Sequence, residues 1–415
     1  MSSPQTDADV VVIGAGLSGL VAARDLSASG RTVLVLEASQ QPGGRTFADE
    51  LPGLGVRVEM GGTWILEDDE PAITAELQRY GLELEYSPEP ERFVFRHQGR
   101  LSDASSPSPS RQRELAAAIS EAVSVEGSEP TVQDVLDGLE SDDELRTWIR
   151  AWTNFVCGAP PEKVPAAVFR DVPAEYLGAM DMYSAKLHAT TDALIAALIA
   201  DAGVEPQLGE PVLAIDRRGD RVEIQTSRRT VTAAAVLLAV PVNTWSEIRV
   251  TPAFDGQKKE VIETGHCGRS TKVWIVATGL ETAVRAVDPD GGFSYLRTDR
   301  VLPDGRSVLV GFTCEDELAQ VTTTAVQVLV DRVLPEFTVD AVHSFDFNES
   351  PFFKGAWASY TEDISPTRYA VAEPPLFFAG ADIAENFGTI EGAVVSGAQA
   401  AEDIDHHLTQ RESAR

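Results

Sequence analysis

The fold is decided by the stretch Asp9-VVVIGAGLSGLVAARDLSASG-Arg31 and by Thr32-VLVL-Glu37, which follows it directly. The first stretch begins with β-branched residues, turns through glycines and then shows apolar side chains at helical spacing. The second stretch is again apolar and β-rich, which is typical of a strand buried on both faces. Residues 10 to 37 are therefore predicted to form one strand, helix, strand unit with a parallel pair of strands.

The turn of this unit carries the glycine pattern GAGLSG. Gly14 allows a tight turn, Gly16 lets the backbone approach a pyrophosphate, and Gly19 lets the helix pack closely on the strand. Phosphate charge would then lie at the helix N-terminus. The candidate cofactor-binding residues of this turn are Gly14, Ala15, Gly16, Ser18 and Gly19.

Three later features extend the predicted nucleotide site. Glu37 ends the second strand, where a carboxylate can accept hydrogen bonds from ribose hydroxyls. The turn Gly43-Gly44-Arg45 supplies one fixed cation that suits a diphosphate, although an isolated turn of this kind is often only surface. The segment Gly61-Gly62-Thr63 would let backbone pass close to a flat ring. The first unit does not distinguish NAD from FAD, but the three glycine turns together favour a long, extended dinucleotide.

Composition excludes several classes of protein. The chain has 415 residues, 43% of them hydrophobic, and a formal net charge of −31, which argues against general disorder and against binding to nucleic acid or to an anionic membrane. Its three cysteines lie far apart, so neither a metal site nor a disulfide framework is expected. The N-terminus is polar and no apolar run approaches the length of a membrane span, which predicts a cytoplasmic protein.

The motifs together resemble those of the flavin amine oxidases, the family of monoamine, polyamine and hydroxynicotine oxidases. The matching stretches are GAGLSGL, PGGRT, EMGGTW and the closing FFAGADIAENFGTIEGAVVSGAQAA, and the match runs from about Val10 to Ala401. Within the family the chain is most similar to the bacterial 6-hydroxy-L-nicotine oxidase type. The match is least distinctive in the helical middle of the chain.

The resemblance implies an α/β fold with two discontinuous domains. A Rossmann-like FAD-binding domain is expected from residues 1–85, 205–245 and 372–410. An α+β substrate domain is expected from residues 86–204 and 246–371, and residues 411–415 are expected to form a polar tail.

Three cofactor contacts follow from the resemblance. Asp382 would lie by the ribityl and pyrophosphate part of FAD, and the helix that begins near Ile390 would aim its N-terminal amides at the flavin ring. Val212 would hold the adenine edge through its backbone. Independently of the family, Asp382 follows an apolar strand and precedes a helix, where a helix cap is the ordinary alternative.

Lys272 is the first candidate catalytic residue. Strand alternation in Thr271-KVWIVATG places it on one face with Trp274 and Val276, so it is expected to be partly buried or to reach a cleft. The resemblance implies that this lysine holds a water against the flavin N5 and serves flavin reoxidation by oxygen. The alternative is an edge-strand lysine that reaches solvent.

Trp357 is the second candidate, since it matches one aromatic wall of the family's amine-binding cage. An apolar slot would desolvate the nitrogen and disfavour its protonated form, although a tryptophan is just as often plain core. The chain departs from the family pattern where Thr389 replaces the second aromatic residue and where Ala356 replaces a cysteine that bonds to the flavin. Non-covalent FAD is therefore expected. The remaining pocket candidates, for which ordinary packing is the alternative, are Trp64, Phe155, Tyr295, Phe387 and Thr389.

These observations predict an FAD-dependent amine oxidase that releases an imine and, with O2, hydrogen peroxide. A secondary or cyclic amine is the expected substrate, because the altered cage argues against a small simple amine. Two alternatives stay open: a C–C desaturase of the phytoene desaturase or protoporphyrinogen oxidase type, and a non-catalytic binding protein of the same fold. The sequence does not determine the oligomeric state, for which a homodimer is one option.

Overall fold

The computed structural model describes residues 6–103, 106–125, 127, 129–139, 143–219, 221–314, 318, 320–362 and 365–414. Residues 1–5 of the first predicted domain segment and residue 415 of the predicted tail lie outside these ranges.

The described chain folds into α-helices and β-strands. The helices are α1 Leu17–Ala28, α2 Pro71–Tyr80, α3 Pro109–Val123, α4 Val132–Gly138, α5 Asp143–Cys157, α6 Thr191–Ala202, α7 Gly256–Thr264, α8 Thr323–Asp331 and α9 Ile390–Ser413. The strands are β1 Ala8–Ile13, β2 Val33–Leu36, β3 Ala48–Glu50, β4 Arg57–Glu59, β5 Leu84–Tyr86, β6 Arg92–His97, β7 Arg100–Ser102, β8 Ala185–Leu187, β9 Val212–Arg218, β10 Arg221–Thr226, β11 Thr230–Leu238, β12 Arg249–Thr251, β13 Ser270–Thr278, β14 Val284–Val287, β15 Tyr295–Val301, β16 Ser307–Cys314, β17 Thr338–His343 and β18 Leu376–Phe378.

The first sheet contains the predicted nucleotide-binding unit. Its strands run in the order β12, β9, β10, β11, β1, β2, and β18 pairs with the end of β11. The strand β1 is parallel to both β2 and β11, with Val12 opposite Val35 and Leu237. These three residues are fully buried, as expected of continuous apolar strands covered on both faces.

Helices α1, α6 and α9 cover one face of this sheet. Their apolar residues form one core with alternate side chains of the central strands, represented by Val10, Leu20, Leu198, Leu237 and Ile404. The close packing of α1 against α9 brings the first glycine turn and the chain's last helix to the same edge of the sheet. This edge lies at the carboxyl ends of the parallel strands, where sheets of this kind bind ligands.

The second sheet is mainly antiparallel and runs in the order β17, β13, β16, β15, β14, β6, β7. Helices α3, α4 and α5 pack with one of its faces and helix α8 with the other. Alternation along β13 divides its side chains between these two cores, so that Trp274 and Val276 face the first and Val273 and Ile275 the second.

The positions of two elements differ from the predicted domain segments. Helix α6 lies within 86–204 but packs on α1, and β12 lies after residue 245 but pairs with β9 in the first sheet. Both placements depend on long-range packing, which the local sequence pattern does not encode. In the part of the chain that the structure describes, no helix combines the length and the apolar character needed to cross a membrane.

Candidate active site

A cavity of about 650 Å³ extends from the glycine turn after β1 to the face of the second sheet. Its walls come from both sheets and from the N-termini of α1 and α9. The sequence candidates on this wall are Gly14, Gly16, Ser18, Glu37, Gly44, Arg45, Gly61, Gly62, Thr63, Trp64, Phe155, Val212, Lys272, Trp357, Asp382, Thr389 and Ile390. Residues far apart in the chain thus contribute to one elongated site.

The three glycines of the first turn have different surroundings. A Cβ atom on Gly19 would lie 2.1 Å from the carbonyl oxygen of Gly14, and one on Gly14 would lie 2.4 Å from the oxygen of Ala239. A Cβ on Gly16 would meet no protein atom nearer than 3.9 Å. Gly14 and Gly19 are therefore required by close packing, while the space at Gly16 is open to a ligand at the N-terminus of α1.

Glu37 closes the same turn from the end of β2. Its Oε2 accepts a 2.7 Å hydrogen bond from the backbone N–H of Ala15, and its Oε1 accepts one of 2.8 Å from Ser39. The carboxylate is buried and lies on the cavity wall. Ala15 does not line the cavity, because its amide is engaged by Glu37 and its side chain is in the core.

Arg45 and Asp382 connect the two ends of the chain at the middle of the cavity. Arg45 Nη2 donates to Asp382 Oδ1 over 2.6 Å, and Arg45 Nη1 donates to the carbonyl oxygen of Ala356 over 2.6 Å. The backbone N–H of Val242 donates to the other oxygen of Asp382. Burial opposes ionisation of Asp382, but the charges of Arg45 and His266 outweigh it and hold the pKa of this carboxyl below its usual value.

Lys272 reaches the cavity from β13, as alternation along the strand predicts. Its Nζ donates a 2.8 Å hydrogen bond to the oxygen of Gly61 and a second one to Thr63 Oγ1. It also lies 5.2 Å from the ring centre of Trp274 and 5.8 Å from that of Trp64. Burial lowers the pKa of Lys272 to about 7, and the negative charge of Glu59 opposes this shift.

Aromatic side chains form a slot beside this lysine. The ring of Trp64 lies 5.6 to 6.0 Å from those of Phe155, Tyr183 and Phe312. Trp357 closes the far side, 6.0 Å from Phe312, and its Nε1 donates a 3.0 Å hydrogen bond to the oxygen of Val156. This end of the cavity is therefore mainly aromatic, and Lys272 lies on its wall.

Two of the predicted pocket residues do not line the cavity. Tyr295 is fully buried and stacks behind Phe155, with 4.1 Å between ring centres. Phe387 packs into the core below the first sheet, with its ring edge toward Tyr360. The sequence pattern placed both residues near the site. It could not distinguish residues that line the cavity from residues packed behind its wall.

Thr389 lines the cavity and begins the last helix. Its Oγ1 accepts a 2.9 Å hydrogen bond from the backbone N–H of Gly392, which caps α9. The side chain therefore supplies a cap where the family pattern has an aromatic wall. Ile390 and Val212 also line the cavity.

Several wall residues were not predicted from the sequence, among them Phe312, Tyr183 and Glu70. Phe312 lies directly opposite Lys272 in the pairing of β13 with β16, so the pairing register would have revealed it. Tyr183 precedes β8 in an irregular stretch that carries no sequence signal. Glu70 is a buried carboxyl whose pKa burial raises to about 7, and its Oε2 accepts a hydrogen bond from the N–H of Leu66.

The site defines a class of protein before any comparison is made. An open glycine turn at a helix N-terminus, an acid at the end of the second strand and a continuous cavity leading to an aromatic slot fit an extended dinucleotide. Close packing requires Gly61 in the third glycine turn, because a Cβ there would lie 1.8 Å from the carbonyl oxygen of Arg45. These features are typical of the dinucleotide-binding class of two-sheet proteins.

The family is shown by a match of residues 17–405 to the model of the flavin containing amine oxidoreductases. This chain therefore belongs to that family, and is a flavin-dependent oxidoreductase that acts on the C–N bond of small-molecule amines. The family match and the amine-oxidising relatives do not favour the two alternatives, a C–C desaturase and a non-catalytic binding protein.

Relatives match over nearly the whole chain. The chain is 30% identical to pseudooxynicotine dehydrogenase of Pseudomonas sp, with 98% of this chain and 88% of the relative covered. It is 29% identical to (S)-6-hydroxynicotine oxidase of Paenarthrobacter nicotinovorans, with 96% and 99% covered. These similarities confirm the resemblance that the sequence motifs suggested.

Solved structures show the same fold. A wild-type putrescine oxidase bound to putrescine superposes with a TM-score of 0.81 at 21% identity, covering 96% of this chain and 99% of that one. Cyclohexylamine oxidase from Brevibacterium oxydans IH-35A gives a TM-score of 0.78 at 20% identity, with 97% and 100% covered. The predicted α/β architecture of a flavin amine oxidase is therefore confirmed.

Proposed function

We propose that the chain binds FAD without a covalent bond and oxidises a secondary or cyclic amine in the aromatic slot beside Lys272. When bound, the flavin would accept a hydride from the carbon next to the substrate nitrogen and pass electrons to O2, which leaves an imine and hydrogen peroxide. The observation that carries the proposal is the continuity of the open turn at Gly16 with this slot in one cavity.

The cofactor would lie along the line of glycine turns. Gly16 and Gly44 would face the diphosphate, Glu37 would accept hydrogen bonds from the ribose, and Val212 would face the adenine. The Arg45–Asp382 pair would keep the middle of the site rigid. Ala356 offers no thiol where other family members have the bonding cysteine, which supports a cofactor that denaturation releases.

The slot would act on the substrate chiefly by positioning and by excluding water. Walls from Trp64, Phe155 and Phe312 remove hydration from the amine, and a low-polarity surrounding disfavours its protonated form. The free lone pair that results is required for oxidation at the neighbouring carbon. Lys272, with its pKa near neutrality, can hold a water or a proton beside the same place.

The proposed substrate class rests on the asymmetry of the slot. Trp357 supplies one aromatic wall, and Thr389 stands where the resemblance implies a second aromatic residue. A bulkier substituent or a ring on nitrogen can occupy the space that a second aromatic residue would fill. The names of the relatives, which concern nicotine-type compounds, support the same class.

The test is peroxide release from the purified protein over a panel of amines of graded size. Secondary and cyclic amines are expected to give the highest kcat/KM, and simple primary amines the lowest. Turnover of primary amines alone would contradict the proposed substrate class. Acid precipitation of the protein should leave FAD in the supernatant, and flavin retained in the pellet would contradict non-covalent binding.

A further inference from the structure

Lys272 is held by a short segment that a buried carboxylate anchors. The acceptors of its Nζ, on Gly61 and Thr63, follow Glu59 in the chain by two and four residues. The backbone oxygen of Glu59 accepts a 2.9 Å hydrogen bond from Nε1 of Trp274, which lies two residues after Lys272 in β13. Glu59 is therefore connected to Lys272 in two ways, through the segment that accepts the hydrogen bonds of Nζ and through Trp274 on the same strand.

The carboxylate of Glu59 is 3% exposed and contacts the start of α6. Its Oε1 accepts a 2.6 Å hydrogen bond from the N–H of Thr191, and its Oε2 accepts one of 2.7 Å from Thr191 Oγ1. Burial raises the pKa of Glu59, and the two donors and the charge of Lys272 oppose this rise. Both donors are neutral, and Lys272 is the cation whose charge favours the ionised form of Glu59.

The other charges near Lys272 are largely compensated. Asp299 on β15 forms ion pairs with Lys186 on β8 and with Arg300, so its negative charge is shared between two cations. Near Glu59, Asp192 on α6 forms an ion pair with Arg57 on β4 in the same way.

The hydrogen bonds of the Glu59 carboxylate, by contrast, are to Thr191. Glu59 and Asp299 are the acids that raise the pKa of Lys272, and Asp299 is the one of the two that forms ion pairs with other cations.

We propose that Glu59 is a positioning residue that keeps Lys272 in its ammonium form beside the aromatic slot. It acts through its negative charge and not only through the segment that it anchors. The inference deepens the proposed function, on which it rests for the role of Lys272 in flavin reoxidation.

The expected effect follows from the sign of the interaction. Since burial brings the pKa of Lys272 to about 7, the ammonium fraction at neutral pH is sensitive to any nearby charge. Glu59→Gln removes the negative charge and can still accept a hydrogen bond from the N–H of Thr191. The pKa of Lys272 should then fall by about one unit.

The direct test is an NMR titration of flavin-free protein labelled with ¹³C at the lysine Cε. The chain has six lysines, so the Lys272 signal can be assigned by its loss in Lys272→Met; the others are Lys163, Lys186, Lys258, Lys259 and Lys354. Glu59→Gln should lower the Lys272 midpoint, and Glu59→Asp, which keeps the charge, should leave it within about half a unit of wild type. An unchanged midpoint in Glu59→Gln would overturn the inference.

Two further variants separate charge from structure. Glu76→Gln removes another buried carboxylate, one that pairs with Arg24, and should not move the Lys272 midpoint. A midpoint that moved equally there would also overturn the inference.

Should Glu59→Gln fail to fold, Thr191→Val removes the hydroxyl donor of Glu59 Oε2, and it should lower the midpoint by a smaller amount. No shift in that variant would count against the inference in the same way.

A kinetic experiment connects the charge to function. Protein reduced by dithionite and mixed with O2 should reoxidise more slowly at pH 7 to 8 in Glu59→Gln, with its pH profile displaced to lower pH. A wild-type pH profile would overturn the inference. Because dithionite replaces the amine, a failure of amine oxidation would refute the proposed function while leaving both Glu59 tests valid.

Discussion

Arg45 and Asp382 are 337 residues apart in the chain, yet Arg45 Nη2 donates to Asp382 Oδ1 over 2.6 Å. The pair joins the second glycine turn to the loop before α9 at the middle of the cavity. Both members are largely buried, so the pair connects the cofactor site to the stability of the whole fold.

Asp382→Asn should therefore destabilise the protein as well as weaken cofactor binding. Loss of one partner of a buried pair leaves the other charge uncompensated, and the free energy of unfolding should fall by about 3 kcal/mol. Urea unfolding of flavin-free protein measures this change. As a matched control, Asp405→Asn breaks the more exposed pair with Arg31 and should cost less than about 1 kcal/mol. Equal losses of unfolding free energy in Asp382→Asn and Asp405→Asn would contradict the claim that the Arg45–Asp382 pair stabilises the fold.

Gly16→Ala and Gly19→Ala should separate ligand binding from packing. The space at Gly16 admits a methyl group, so the flavin-free protein should keep its unfolding free energy to within about 1 kcal/mol. Its affinity for FAD should fall at least about tenfold, because the methyl group occupies the approach to the helix N-terminus.

Gly19→Ala should instead destabilise the flavin-free protein by about 3 kcal/mol, since its methyl group would collide with the Gly14 oxygen. Wild-type FAD affinity in Gly16→Ala would show that the diphosphate does not lie at this turn.

Lys272→Met should slow flavin reoxidation more than flavin reduction. Met fills a similar volume but has no charge and no hydrogen-bond donor for the segment at Gly61 and Thr63. We expect the rate with O2 to fall by about a hundredfold, as measured by mixing reduced protein with oxygenated buffer. An unchanged rate with O2 would remove this lysine from the mechanism.

His266 should make the protein sensitive to acid. Both of its ring nitrogens lack a hydrogen-bond partner among the described residues, and burial lowers its pKa to about 4. Between pH 6.5 and 4 the unfolded chain binds a proton that the folded protein does not, so the free energy of unfolding falls by up to about 3 kcal/mol across that window. His266→Gln does not titrate there and should show a flatter pH dependence. Parallel stability curves for the two proteins would contradict this expectation.

The sequence predicted the parts of the fold that local pattern encodes. The unit β1, α1, β2 follows from apolar runs and glycine spacing, and alternation along β13 correctly placed Lys272 with Trp274 and Val276 in a buried layer. It could not place Tyr295 behind Phe155, or Phe312 opposite Lys272, because both depend on how β13, β15 and β16 align. Strand register is a property of pairing between distant segments.

The same limit applies to the predicted domain segments. Helix α6 has apolar residues at helical spacing and Gly203 at its C-terminal cap, but nothing in that pattern tells which sheet it covers. Its N-terminal amide is bound by Glu59, a residue 132 positions away. Asp192, in the first turn of α6, pairs with Arg57 of β4.

The most direct test of the central claim is anaerobic mixing of the purified protein with secondary and cyclic amines while the flavin absorption is followed. The account predicts a yellow protein whose flavin band bleaches within the turnover time and returns when O2 is admitted, with peroxide formed in equal amount. A colourless protein that does not take up added FAD, or a flavin that stays oxidised with every amine, would contradict it.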